Sequence, residues 1–177
     1  MRTGIIALSL ALSGAAFAQA PTDPQIAHIA ATAHSIDIAR GKDALKKSKN
    51  AEVKQFAEQM VEDHSAGLKE AQALLKKLGV KPEDNPTSQA LQKQAKEEKA
   101  KLAKLKGKAF DREYINHKVA YHKAVIDAVK NTLIPNAKNE QLKQLLTDAG
   151  QTLEGHLKHA ENVQALVGGS GDTSARK

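Results

Sequence analysis

Asp37, His64, His122 and His156 are the side chains of this sequence best placed to do chemistry, because each stands alone among apolar residues. Around His64 the chain reads Val53, Ala57, Met60, His64, Gly67, Ala71, Leu74, Leu78, in alternating short steps. His122 falls within Ile115, Val119, His122, Ile126, Val129, Leu133. His156 falls within Leu142, Leu146, Ala149, Leu153, His156, Ala160, Val163, Val167. Such spacing is the buried stripe of an amphipathic helix. Burying an imidazole costs free energy unless a partner meets it. Three imidazoles in three such stripes point to one shared partner, and a metal ion is the candidate. The chain has no cysteine, which excludes thiolate sites, thiol redox chemistry and cysteine nucleophiles. Imidazole and carboxylate remain as donors, and they suit zinc, copper, iron or manganese without separating them. The competing reading is a buried polar network, in which each histidine bonds Asp37, Asp63, Asp111 or a tyrosine and holds no ion.

Caps and breakers place the elements that carry these residues. Asp23 and Pro24 suit the N-cap and first position of a helix over 24–49. Asn50 caps a second helix over 51–78, and Gly79 stops it. Residues 80–86 read as a loop, and 89–106, rich in Gln, Lys and Glu, as a mostly exposed helix. Run straight into the next helix it would span about 45 residues, or ~70 Å, against about 40 Å for its neighbours, so a break is expected near Gly107. A third core helix follows over 108–133, Pro135 and Asn136 turn the chain, and a fourth runs over 139–167. No strand pattern is present. The fold class expected is all-α: a ferritin-like four-helix bundle with a long, partly helical crossover between core helices 2 and 3, which makes those two parallel.

Register then tests whether the four residues can meet. In the first helix Asp37 lies in a stripe of Ile26, Ala30, Ala33, Gly41 and Ala44. It precedes Asn50 by 13 residues and His64 follows it by 14, so the two face each other across an antiparallel hairpin. His122 precedes Asn136 by 14 residues, but His156 follows it by 20. That six-residue difference is roughly 9 Å along an axis. An irregular Pro135 to Lys138 segment would absorb part of it. The candidate metal set is Asp37, His64, His122 and His156, with Asp37 and His64 the firmer pair and His122 or His156 joining them. Asp63, Asp111, Tyr114 and His159 are candidates for supporting or structural roles. His156 and His159 form an H-x-x-H pair on one helix face. Asp111 suits the dipole at the start of the third core helix, and its roughly 16 Å from His122 forbids a shared ion. His28, His34 and His117 read as stripe edges or solvent-facing residues.

Several chemistries are excluded. No histidine has Asp or Glu three residues before it, which argues against a standard di-iron carboxylate centre. No Ser-His-Asp order, phosphate-binding glycine loop or H-E-x-x-H motif is present, so nothing marks an enzyme. The net charge of +7 comes from 27 Lys plus Arg against 20 Asp plus Glu. Lysines spread over helix surfaces, few arginines and no Trp do not make a nucleic-acid face. The residual attraction would be weak, toward anionic envelope lipid.

Arg2, an apolar run from Gly4 to Ala18 and the small-x-small triplet Ala16-Phe17-Ala18 have the form of a secretory leader cut after Ala18. The expected organisation is a signal peptide over 1–18, a bundle domain over 19–167 and a flexible Gly-rich tail over 168–177. The expected location is the periplasm, with no transmembrane anchor, since no other segment approaches the about 18–20 apolar residues that a span needs.

Finally, Lys54-Gln55-Phe56-Ala57-Glu58-Gln59-Met60-Val61-Glu62-Asp63-His64-Ser65, Phe110-Asp111-Arg112-Glu113-Tyr114 followed by His122, and Gly155-His156-Leu157 occur in that order. The pattern resembles a large bacterial family, a domain of unknown function often described as a predicted outer membrane protein, over residues 24–167. The resemblance implies export, a ferritin-like helical bundle and metal binding, and no known reaction. That family carries Glu where this chain has Asp37.

Overall fold

A computed structural model describes residues 20–169. The expected leader over 1–18 lies outside them, as does the tail beyond Gly169. The described chain is helical, with no strand among the described residues. Its helices are α1 (Asp23–Lys47), α2 (Ala51–Leu78), α3 (Pro86–Ala103), α4 (Gly107–Ala128), a π-helical segment (Val129–Leu133), the short α5 (Ile134–Asn136) and α6 (Glu140–Gly169). No helix among them is long and apolar enough to cross a membrane.

The boundaries follow local chemistry. Asn50 Oδ1 accepts the Val53 N–H at 3.1 Å and starts α2. Gly79 ends it with φ 65°, a left-handed conformation that suits glycine. Gly107, at φ 52°, makes the expected break between α3 and α4. Asp23 does not cap α1. Thr22 is the N-cap, and the Asp23 carboxylate instead accepts the N–H groups of Lys138 and Asn139 at 2.9 and 3.0 Å, tying the start of α1 to the last turn.

End-to-end contacts fix the topology. Glu83 N–H reaches Pro24 O at 3.0 Å, which seats the α2–α3 loop beside the start of α1. At the opposite end Lys47 Nζ donates to Leu102 O at 2.7 Å and Ala103 O at 3.1 Å. Cations there satisfy the last carbonyls of a helix. Helix α3 therefore travels the bundle's length alongside α1, and α2 and α4 run parallel, as the long crossover requires. The core packs in two clusters. One joins Phe56, Met60, Phe110, Tyr114 and Ile115. The other joins Ile26, Ile29, Leu133, Leu142 and Leu146.

One expected turn moves. Pro135 and Asn136 stay helical, because a π turn over Val129–Leu133 precedes them. Proline has no N–H to close a regular turn and crowds the carbonyl four residues earlier. The wider turn, in which Ile134 N–H reaches Val129 O, accommodates it. The chain reverses over 137–139 instead, and Asn139 Oδ1 caps α6 through the N–H groups of Gln141 and Leu142.

Candidate metal centre

The displaced reversal settles the register. Counted from residue 138, His122 lies 16 residues before and His156 18 after, a difference of about 3 Å along an axis. The two rings stand 5.6 Å apart, centroid to centroid. The ring of His64 is 5.1 Å from that of His156 and 6.0 Å from that of His122. Each of the three offers one nitrogen to a common point, with those atoms within 4.8 Å of one another. All three residues are buried.

Partners decide which nitrogens these are. His122 Nδ1 lies 2.9 Å from Lys118 O. A carbonyl only accepts, so Nδ1 carries the proton and Nε2 is bare. His156 Nε2 lies 2.8 Å from Asp63 Oδ2, so Nε2 carries a proton and Nδ1 is the nitrogen turned from that partner. His64 Nδ1 pairs with His34 Nδ1 at 3.0 Å, one donating to the other. The inward atoms, His64 Nε2, His122 Nε2 and His156 Nδ1, are buried with no hydrogen-bond partner. Buried polar atoms left so are uncommon and call for a reason. Burial holds the His64 pKa down to about 3 and that of His122 to about 4, although Asp37 pulls both upward. Neutral imidazole, the form that ligates metals, is thus the resting state of both at neutral pH.

Asp37 stands beside this triad. Its Oδ2 is 3.6 Å from His64 Nε2 and has no hydrogen-bond partner. Its Oδ1 is held by Lys118 Nζ at 2.5 Å. Burial alone would raise its pKa, but the Lys118 ammonium, His64 and His122 outweigh that and hold the carboxyl well below the usual range. Lys118 is fully buried and lies 5.0 Å above the Tyr121 ring. A second polar layer abuts it. Glu98 on α3 is 2.9 Å from His117 Nδ1 and 3.9 Å from Arg40 Nε, and Arg40 also bonds Asp43 at 2.7 Å.

The sequence singled out neither Lys118 nor Glu98, and it placed His34 at a stripe edge or in solvent. Three supporting candidates sit elsewhere. His159 Nδ1 bonds Gln59 Oε1 at 2.7 Å and its ring meets Phe56, so His156 and His159 serve different partners. Tyr114 is buried between the Phe56 and Phe110 rings. Asp111 is buried near that end of α4. Asp63 alone of the supporting candidates touches the triad.

Two spaces flank the triad. A cleft of about 290 Å³ opens along α2 and α6 and includes Asp63, His64 and His156 in its lining. An apolar cavity of about 60 Å³ lies among Ile29, Val125, Val129, Leu146 and Leu153, with Asp37 and His64 also on its wall.

The sequence profile of one family, described as Domain of unknown function (DUF4142), matches residues 10–163. The chain belongs to that family. Among solved structures it is similar to "CopM in the Cu(II)-bound form", with a TM-score of 0.62 and 20% identity over 82% of this chain and 98% of that one. At that identity the likeness establishes the fold. No curated protein matches the chain.

Proposed function

We propose that this member of the family is an exported helix bundle that binds a transition-metal ion, copper foremost, through His64, His122 and His156. The observation that carries the reading is the convergence of three buried, unpartnered imidazole nitrogens. A purely structural network would satisfy those atoms; here none of the three has a hydrogen-bond partner, and one nitrogen of each ring lies within 4.8 Å of the others. The opposite nitrogens are fixed by Lys118 O, Asp63 and His34, the arrangement that orients metal-binding histidines. In this reading His64 Nδ1–H donates to His34 and leaves Nε2 for the ion. Asp37 supplies a negative charge beside the site, and Lys118 holds that carboxylate in place. A nitrogen donor set with neutral rings suits copper and zinc, and copper(II) stands highest in the usual affinity order. The fold shared with a Cu(II)-bound protein adds support. Export is read from the leader-like N-terminus, and the role envisaged is metal handling or stress protection in the envelope, with no reaction assigned.

The test is elemental analysis of untagged protein from the periplasm beside a His64→Ala, His122→Ala variant. Near-stoichiometric metal in the native protein, lost in the variant, is the expected result. Absence of metal from both, even after soaking with copper and zinc, would leave a histidine network and reject the proposal.

A further inference from the structure

The cleft beside the triad has a charge unlike the rest of the molecule. The chain carries a net +7, yet Asp63, Glu70 and Asp148 line this cleft and no described lysine or arginine does. Glu70 and Asp148 are exposed, and His64 and His156 are buried. The lining therefore passes from solvent-facing carboxylates to side chains whose inner nitrogens, His64 Nε2 and His156 Nδ1, lack partners. Between them stands His34, half-buried and bonded to His64. Gly67 makes room for it: a Cβ there would lie 2.7 Å from His34 Cε1. The apolar cavity behind the triad meets Asp37, His34 and His64 on one wall, but the rest of its lining is almost wholly aliphatic and has no exposed carboxylate, so a bare charge crossing it would be costly.

We propose that this acidic cleft is the loading route for the site: a divalent transition-metal cation is drawn in by Glu70 and Asp148, passes His34 and reaches the triad at His64 and His156. The inference rests on the metal-binding reading above and adds the path and the sign of charge that it selects. A mouth lined by one sign of charge raises the local concentration of the opposite ion and its rate of entry. The lysine-rich surface elsewhere repels the same ion, which sharpens the contrast.

The test is stopped-flow uptake of Cu(II) by the metal-free protein at low ionic strength, followed by visible absorbance. Compared with it are Glu70→Gln with Asp148→Asn, and a charge-matched control, Glu52→Gln with Glu97→Gln, on exposed positions away from the cleft. Asp148 accepts a hydrogen bond from Gln144 Nε2 at 2.9 Å, which the asparagine oxygen can keep. The expected result is an association rate about tenfold lower for the cleft variant, a control close to native, a gap that narrows as salt is added, and the same final spectrum in all three. Equal rates for the cleft variant and the control overturn the route while leaving the triad intact. A native protein that takes up no Cu(II) overturns the metal reading itself, and the route with it.

Discussion

Asp63 Oδ2 accepts the Nε2–H of His156 across the α2–α6 interface at 2.8 Å, and that bond decides which nitrogen of the ring faces inward. Asp63 is the residue before His64, so adjacent positions on α2 serve one site in two ways: one offers a nitrogen, the other aims a nitrogen from the facing helix. Asp63→Ala should keep the ion count and lower the affinity by about 10–100-fold. Competition against a chromophoric chelator measures this. An unchanged affinity would show that the His156 ring is held by packing alone.

Lys118 and Asp37 form a buried ion pair, and removing one member should cost more than removing both. Lys118→Met leaves an unpaired buried carboxylate and should destabilise the metal-free protein by about 3–5 kcal/mol. Adding Asp37→Leu should recover most of that loss. Urea unfolding of the two variants checks the order, and a double variant weaker than the single one would contradict it.

Acid should weaken the metal-free protein in a defined window. His64 and His122 bind protons more weakly folded than unfolded, with pKa values of about 3 and about 4 against 6.5. Between those limits the unfolded state holds more protons, so stability rises with pH and is lost as pH falls from about 6.5 toward 4. Asp37 has the same proton preference in a lower window, since its folded carboxyl is also the stronger acid. Its contribution is present above the unfolded carboxylate range and fades only below it. Thermal unfolding across pH 3–8 should therefore fall first with histidine protonation, and His64→Gln, His122→Gln should flatten that first fall.

Gly41 sets how closely α1 approaches α2, and so how close Asp37 comes to His64. A Cβ at Gly41 would lie 2.7 Å from Val61 Cγ2 and 3.0 Å from the backbone oxygen of Ala57. Gly41→Ala gains about 1 kcal/mol of helix propensity, yet the clash of about 1–3 kcal/mol should outweigh it. A net loss in urea unfolding is expected; a net gain would mean the helices separate cheaply.

The sequence carried much of this arrangement where periodicity and spacing set it. The stripe positions of His64, His122 and His156 are buried as expected, and the nearly equal distances of Asp37 and His64 from Asn50 brought them face to face. The long segment before Gly107 gave the parallel pair of helices. The height of His156 was misjudged, because Pro135 reads as a helix stop and nothing local announces a π turn that keeps it helical. Lys118 was passed over because lysine is rarely buried unless paired, although its position three after Ile115 and four before His122 lies on the stripe. Its partner, Asp37, is 81 residues away. The link between Glu98 and His117 crosses from α3 to α4, so no helical period relates the two. His34 is half-buried at a stripe edge, as read, but its bond to His64 went unseen for the same reason: it depends on Gly67 of the neighbouring helix, whose missing side chain makes the space.

An anomalous difference map at the copper edge would locate the ion. Crystals of the metal-free protein, grown with one equivalent of Cu(II), should show a peak bounded by His64 Nε2, His122 Nε2 and His156 Nδ1, with Asp63 still on His156 and Lys118 still on Asp37. A map with no peak among the three rings, or with its peak only on surface histidines such as His28, would contradict the account.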